Sequence, residues 1–157
     1  MQGLAGRVAL VTGAGRGIGR AICLAYGAAG AKVAVSARST DELASVVQDI
    51  RAAGGTAEAF PADLSDPAVP ASLLESVAAT LGTVEVLVNN AGVGSSSDPK
   101  PLVEFDDEFW KLTLEVNLNA PYRLTKLALP PMIAAGWGRV ITVASINSRM
   151  GSLHGAA

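Results

Sequence analysis

Residues 7–19, RVALVTGAGRGIG, constrain the fold of this chain more than any other stretch. A short β-branched run ends on a threonine, and four glycines then fall within seven residues before an apolar, alanine-rich segment begins. That order reads as a strand entering a tight turn and leaving as a helix. Glycines permit the turn and let a ligand approach the backbone. The new helix offers unpaired N–H groups and the positive end of its dipole, a setting suited to a diphosphate. A turn needed only for packing would leave the same trace, so the loop by itself does not decide function.

The rest of the chain repeats the alternation. Short β-rich runs recur at 32–37 (KVAVSA), 56–62 (TAEAFPA), 84–89 (VEVLVN) and 138–145 (GRVITVAS). Their Val and Ile are nearly continuous, as expected of parallel strands covered on both faces. Helical spacing lies between them. Ile18, Ile22 and Ala25 share one face. Leu43, Val46, Val47 and Ile50 share another, behind a capping box of Ser39 and Glu42 and ahead of Gly54. Asp66-Pro67 is placed to start a third helix carrying Leu73, Leu74, Val77 and Leu81, with Gly82 to stop it. A longer helical region from Asp106 to Ala135 carries Phe109, Leu112, Val116, Leu124 and Leu127; Pro121 and Pro130-Pro131 are expected to kink or restart it. The sum is an α/β chain with a Rossmann-type doubly wound parallel sheet, a single dinucleotide-binding domain over residues 1–157. Ligands in such sheets bind at the carboxyl ends of the strands, where the strand order reverses.

Composition narrows the partners. The chain has 157 residues and a formal charge of -2, so it carries no basic footprint for nucleic acid. Cys23 stands alone, which rules out a disulfide framework and points to a reducing, cytoplasmic setting. No run approaches ~18 uninterrupted apolar residues, and no signal-peptide core precedes the first strand, so neither membrane insertion nor export is expected. No cluster has metal-ligand spacing. Cys23, Trp110 and Trp137 read as packing residues and His154 as a loop histidine.

The glycine spacing is TGxxxGxG rather than GxGxxG, and this pattern resembles the classical short-chain dehydrogenase/reductase family. Three more stretches fall in that family's order: ADLSD (62–66), NNAG (89–92) and PPMIAAGWGRVITVAS (130–145). The resemblance covers the whole chain and implies five of the family's usual seven strands. It assigns Gly13, Gly15, Arg16, Gly17, Ile18 and Gly19 to the dinucleotide, Asp63 with Leu64 to the adenine, and Asn90, Ala91 and Gly92 to the loop beneath the cofactor. At the end of the second strand an acid would favour the ribose 2′-hydroxyl of NAD(H). This chain has Ala37 followed by Arg38, which favours the 2′-phosphate of NADP(H), with Arg16 able to add a second charge. NADP(H) is therefore the expected cofactor; NAD(H) stays open.

By the same resemblance Asn117 and Ser145 are the catalytic candidates, with Asn119 and Ser148 as their neighbours. The family's proton-moving tyrosine begins a YxxxK motif about thirteen residues after the serine, which is the position directly after Ala157. Tyr26 and Tyr122 both precede Ser145. The expectation is an oxidoreductase acting on a small alcohol or ketone, a homodimer or homotetramer when full length. Residues 1–157 alone should lack turnover and should leave the fifth strand as an open apolar edge. The alternative is a truncated protein that binds NADP(H) without catalysis. A Rossmann methyltransferase is disfavoured, because Ala37 stands where such a site wants an acid. The pocket is expected to be bordered by residues 93–98 and 146–155, which do not name the substrate.

Overall fold

The computed structural model describes residues 3–94 and 100–145. Ser148, His154, residues 95–99 of the polar loop and the segment 146–157 lie outside the described residues. Five strands, β1 (Val8–Thr12), β2 (Lys32–Ala37), β3 (Thr56–Pro61), β4 (Val86–Asn89) and β5 (Arg139–Thr142), form one parallel sheet in the order β3-β2-β1-β4-β5. The order reverses between β1 and β4: β2 and β3 extend to one side of β1, β4 and β5 to the other. This is the expected Rossmann-like, doubly wound architecture.

Alternation along β1 explains the two-sided core. Ala9 and Val11 enter one apolar cluster with Cys23, Leu43, Val46 and Ile50 of α1 (Gly17–Ala28) and α2 (Thr40–Ala52). Val8 and Leu10 enter the other, with Leu73 and Val77 of α3 (Val69–Thr80) and Leu124, Ala128 and Met132 of α5 (Ala120–Ala134). With both faces covered, strands of continuous Val, Leu and Ala are stable where an alternating pattern would bury polar groups.

Four local expectations are corrected. The buried face of α1 is Gly19, Cys23 and Gly27, while Ile18 is 62% exposed and Ala25 is exposed. Small residues let the helix approach its neighbours: a Cβ on Gly27 would lie 2.6 Å from Ile50 Cγ2. The start of α3 moves to Val69, because Asp66 Oδ1 accepts the Ala68 N–H (2.8 Å) in a separate turn and Pro70 takes the first helical turn instead of Pro67. The long helical region divides into α4 (Asp107–Leu114), a π turn over Glu115–Asn119, and α5. Pro121 begins α5 as foreseen, whereas Pro130 and Pro131 sit inside it without ending it. Finally, the buried stripe here runs Val116, Ala120, Leu124, Ala128, Met132, in steps of four, so Leu127 falls off it and is 46% exposed.

Among the described residues β5 is an edge of the sheet. Its four residues are exposed, Val140 and Ile141 among them, and the strand pairs only with β4 among the described residues. No helix among those residues is long and apolar enough to cross a membrane.

Candidate active site

The carboxyl ends of β1 to β4 open onto a cavity of about 600 Å³ at the point where the strand order reverses. One seam holds it together. Thr12, the last residue of β1, is 1% exposed. Its hydroxyl donates to Val88 O (3.3 Å) and accepts the N–H groups of Asn90 and Ala91 (both 3.1 Å). Asn90 answers by donating its side-chain amide to Thr12 O (2.9 Å) and Gly13 O (3.1 Å). The glycine loop and the NNAG loop are thus one hydrogen-bonded unit.

This seam divides the glycines by task. Gly13 has φ +62°, and a Cβ there would sit 2.7 Å from Ala91 Cα. A Cβ on Gly19 would sit 2.6 Å from the Asn90 amide nitrogen. Both are required by packing between the two loops. Gly17 differs: it has φ +56° and faces open space. Its helix, α1, carries no side-chain cap and no acid in its first turn. By contrast α2 is capped by Ser39, which accepts from Glu42 N, and α4 by Asp106, which accepts from Phe109 N. The first-turn N–H groups of α1 are left facing the cavity mouth, the arrangement an anion needs.

Charge follows the same division. Arg7, Arg20, Arg51 and Arg123 each pair with a carboxylate, on Glu85, Asp49, Glu58 and Glu115 in turn. Arg16 and Arg38, which both line the cavity, form no salt bridge among the described residues. Asp63, at the end of β3, is held below the usual carboxylate range mainly by hydrogen bonding to Ser65, whose N–H it accepts at 3.0 Å, with the Arg38 charge adding to the effect. Gly13, Gly15, Arg16, Ile18 and Arg38 therefore meet on one cavity with Asp63, Leu64, Asn90, Ala91 and Gly92.

Asn117 and Ser145 stand outside that lining. Asn117 lies in the π turn, where Ala120 N–H reaches back five residues to Glu115 O. The widened turn falls where Pro121, lacking an N–H, would leave the Asn117 carbonyl without its α-helical donor. The Asn117 carboxamide uses both ends on Val93, accepting its N–H (2.9 Å) and donating to its carbonyl (2.8 Å). Asn119 donates to Glu115, whose carboxyl burial pushes up but which Asn119 and Arg123 hold below its ordinary value. Ser145 is exposed just beyond β5. Tyr122 and Lys126 do stand four apart on α5, but Tyr122 is 60% exposed and outside the cavity lining, with the Lys126 ammonium 5.6 Å from its ring. Cys23 is fully buried, which pushes its thiol up to about 12 and leaves it a packing group. No metal-ligating cluster occurs among the described residues.

Sequence reasoning missed Thr12 and Glu42 as parts of the site. The signal for Thr12 was present, a hydroxyl residue ending a buried strand directly before glycine. Glu42 was read only as a cap, yet its side chain lines the cavity against Gly15. Val93 falls within the expected pocket border 93–98, and its role there is a backbone contact to Asn117.

The family model for short chain dehydrogenases matches residues 7–157. A short chain dehydrogenase of Pseudocercospora fijiensis (strain CIRAD86) is 41% identical over 145 residues, covering 91% of this chain and 46% of that protein. The 3-oxoacyl-[acyl-carrier-protein] reductase FabG of Escherichia coli (strain K12) is 40% identical over 147 residues, covering 94% and 58%. A metagenomic short-chain oxidoreductase solved in complex with NADP superposes with a TM-score of 0.92 at 42% identity, covering 98% of this chain and 68% of that one. The chain spans about half the length of the curated relatives it matches. With the family model covering nearly all of it and a strand-end cavity built from the family's motifs, this chain belongs to the short-chain dehydrogenase family.

Proposed function

We propose that this chain is the dinucleotide-binding part of an NADP(H)-dependent oxidoreductase acting on an alcohol or carbonyl substrate. The observation that carries the reading is that Arg16 and Arg38, unpaired by salt bridges among the described residues, line the same cavity as the uncapped end of α1. A cavity of about 600 Å³ lies within the ordinary range for a cofactor site, roughly 300–1,000 Å³. A nicotinamide cofactor bound there would supply or accept the hydride. The α1 N–H groups would hold its diphosphate, Arg38 with Arg16 its 2′-phosphate, and Asp63 with Leu64 its adenine. Thr12 and Asn90 hold the loops at fixed spacing. Ser145 holds the substrate oxygen, and Asn117 fixes the loop at Val93 beside it.

Tyr122 with Lys126, the tyrosine that has a lysine four residues on, lies outside the cavity lining, so residues 1–157 alone bind nucleotide without turnover. The neighbouring structure with NADP supports the cofactor choice. Exposed Leu118 of the π turn with Tyr122, Leu129 and Ile133 of α5 support association into a homodimer or homotetramer. A cytoplasmic setting fits the lone buried Cys23.

Fluorescence titration with NADPH and NADH tests the reading. NADPH should bind more tightly, and Arg38→Ala should weaken it about tenfold to a hundredfold while changing NADH less than about threefold. Absence of binding by either nucleotide, or preferential binding of S-adenosylmethionine, would overturn it.

A further inference from the structure

Glu42 is the acid that the cavity does not need for its own construction. It stands at the third position of α2, where a glutamate ordinarily bends back to the capping residue. Ser39 plays its half of that exchange by accepting the Glu42 N–H (3.4 Å). The Glu42 carboxylate does not return the contact and makes no hydrogen bond or salt bridge among the described residues. Side chains on a helix lean toward its N-terminus, and this one leans across to the glycine loop. A Cβ built on Gly15 would lie 2.5 Å from Glu42 Oε2 and 2.9 Å from its Cβ. The negative charge therefore rests against Gly15 of the glycine loop, on a cavity that Arg16 and Arg38 also line. Asp63, the other acid of the lining, lies at the end of β3 and is already engaged by the Ser65 N–H.

We propose that Glu42 sets the nucleotide preference: its carboxylate opposes the 2′-phosphate that Arg16 and Arg38 attract, so the chain accepts NADP(H) and NAD(H) with a narrower gap than its two arginines would give. The inference rests on the nucleotide reading above and adds to it the residue that weakens the discrimination. Repulsion acts on the dianionic phosphate and hardly on a hydroxyl, so removing the charge tightens one nucleotide selectively.

The test is the ratio of the NADH and NADPH dissociation constants, measured by titration at low salt for the natural chain, Glu42→Gln, Glu42→Lys and Glu75→Gln. Glutamine keeps the shape and the helix-start preference of glutamate. Glu75, on α3, lines a different groove of the molecule, so its variant makes the same change of net charge away from the cavity. Glu42→Gln should raise the ratio about three- to tenfold, and Glu42→Lys further, with the gain shrinking at high ionic strength. An unchanged ratio in both Glu42 variants, with both nucleotides still bound, overturns this inference and leaves the nucleotide reading intact. An equal rise in Glu75→Gln overturns it as well, since the effect would then be one of net charge. Failure of every variant and of the natural chain to bind either nucleotide overturns both.

Discussion

The two ends of the sheet handle the same kinds of side chain in opposite ways. At the amino ends of the strands Arg7 pairs with Glu85, and Glu85 also accepts the Val8 N–H at 3.2 Å. Trp137 lies between two guanidinium groups, with Arg7 4.0 Å and Arg139 4.9 Å from its ring. Cations, carboxylate and aromatic ring satisfy one another there. At the carboxyl ends Arg16 and Arg38 have no such partners among the described residues, Glu42 has none there, and α1 begins without a side-chain cap. A fold gains stability by closing polar groups on each other, whereas a site keeps some of them open for a ligand. The difference between the ends assigns one to holding the strands and the other to recognition.

Three substitutions would break or sharpen that contrast. The largest effect is expected for Gly13→Val, which forces a β-branched residue to φ +62° with its Cβ 2.7 Å from Ala91 Cα. Urea unfolding should show a loss of about 3 kcal/mol or more, and nucleotide binding should disappear with it. A variant that unfolds less readily than this but still fails to bind would show that the seam serves the ligand alone. Next comes Trp137→Ala at the opposite end. It removes the stack on both arginines and should lower stability by about 1–2 kcal/mol. Its nucleotide dissociation constants should stay within about twofold; a larger change would mean that the two ends are coupled. The smallest effect belongs to Asp63→Asn. The native carboxyl is held below its ordinary value of 3.8 by Ser65 and Arg38. Its contribution is therefore present above that value and lost as pH falls through the lower, folded one. Because Asp63 is exposed, the gain is about half a kcal/mol or less after solvent screening. The natural chain should show that shallow acid-side loss in a stability–pH curve, and the variant should not.

β1, β2, β4 and the glycine loop were legible because each is a local pattern: continuous Val, Leu and Ala where both faces are covered, and glycine where the backbone has no alternative. The same holds for α2, whose Leu43, Val46, Val47 and Ile50 are all buried. By contrast β5 carries the same apolar run as those strands yet is exposed, and β3 mixes buried and exposed positions. Period alone misled at α1, since hydrophobicity marked Ile18 while closeness of approach selected Gly19, Cys23 and Gly27. It misled again at Leu127, where a stripe stepping by four turns slowly round the helix. In the site, the residues bearing obvious chemistry were named from sequence. The contacts made through backbone atoms, Thr12 to Asn90 and Asn117 to Val93, depend on which loops the sheet order brings together, and no local pattern records that.

The π turn at Glu115–Asn119 acts as a phase slip in an otherwise regular rod. One residue added to a helix rotates everything after it by about 100°. The rod can thus present Asn117 to Val93 upstream and still aim Leu124, Ala128 and Met132 at the sheet downstream. Removing a single residue from this turn would regularise the helix and lose that double alignment. The chain's length here is fixed as tightly as its composition.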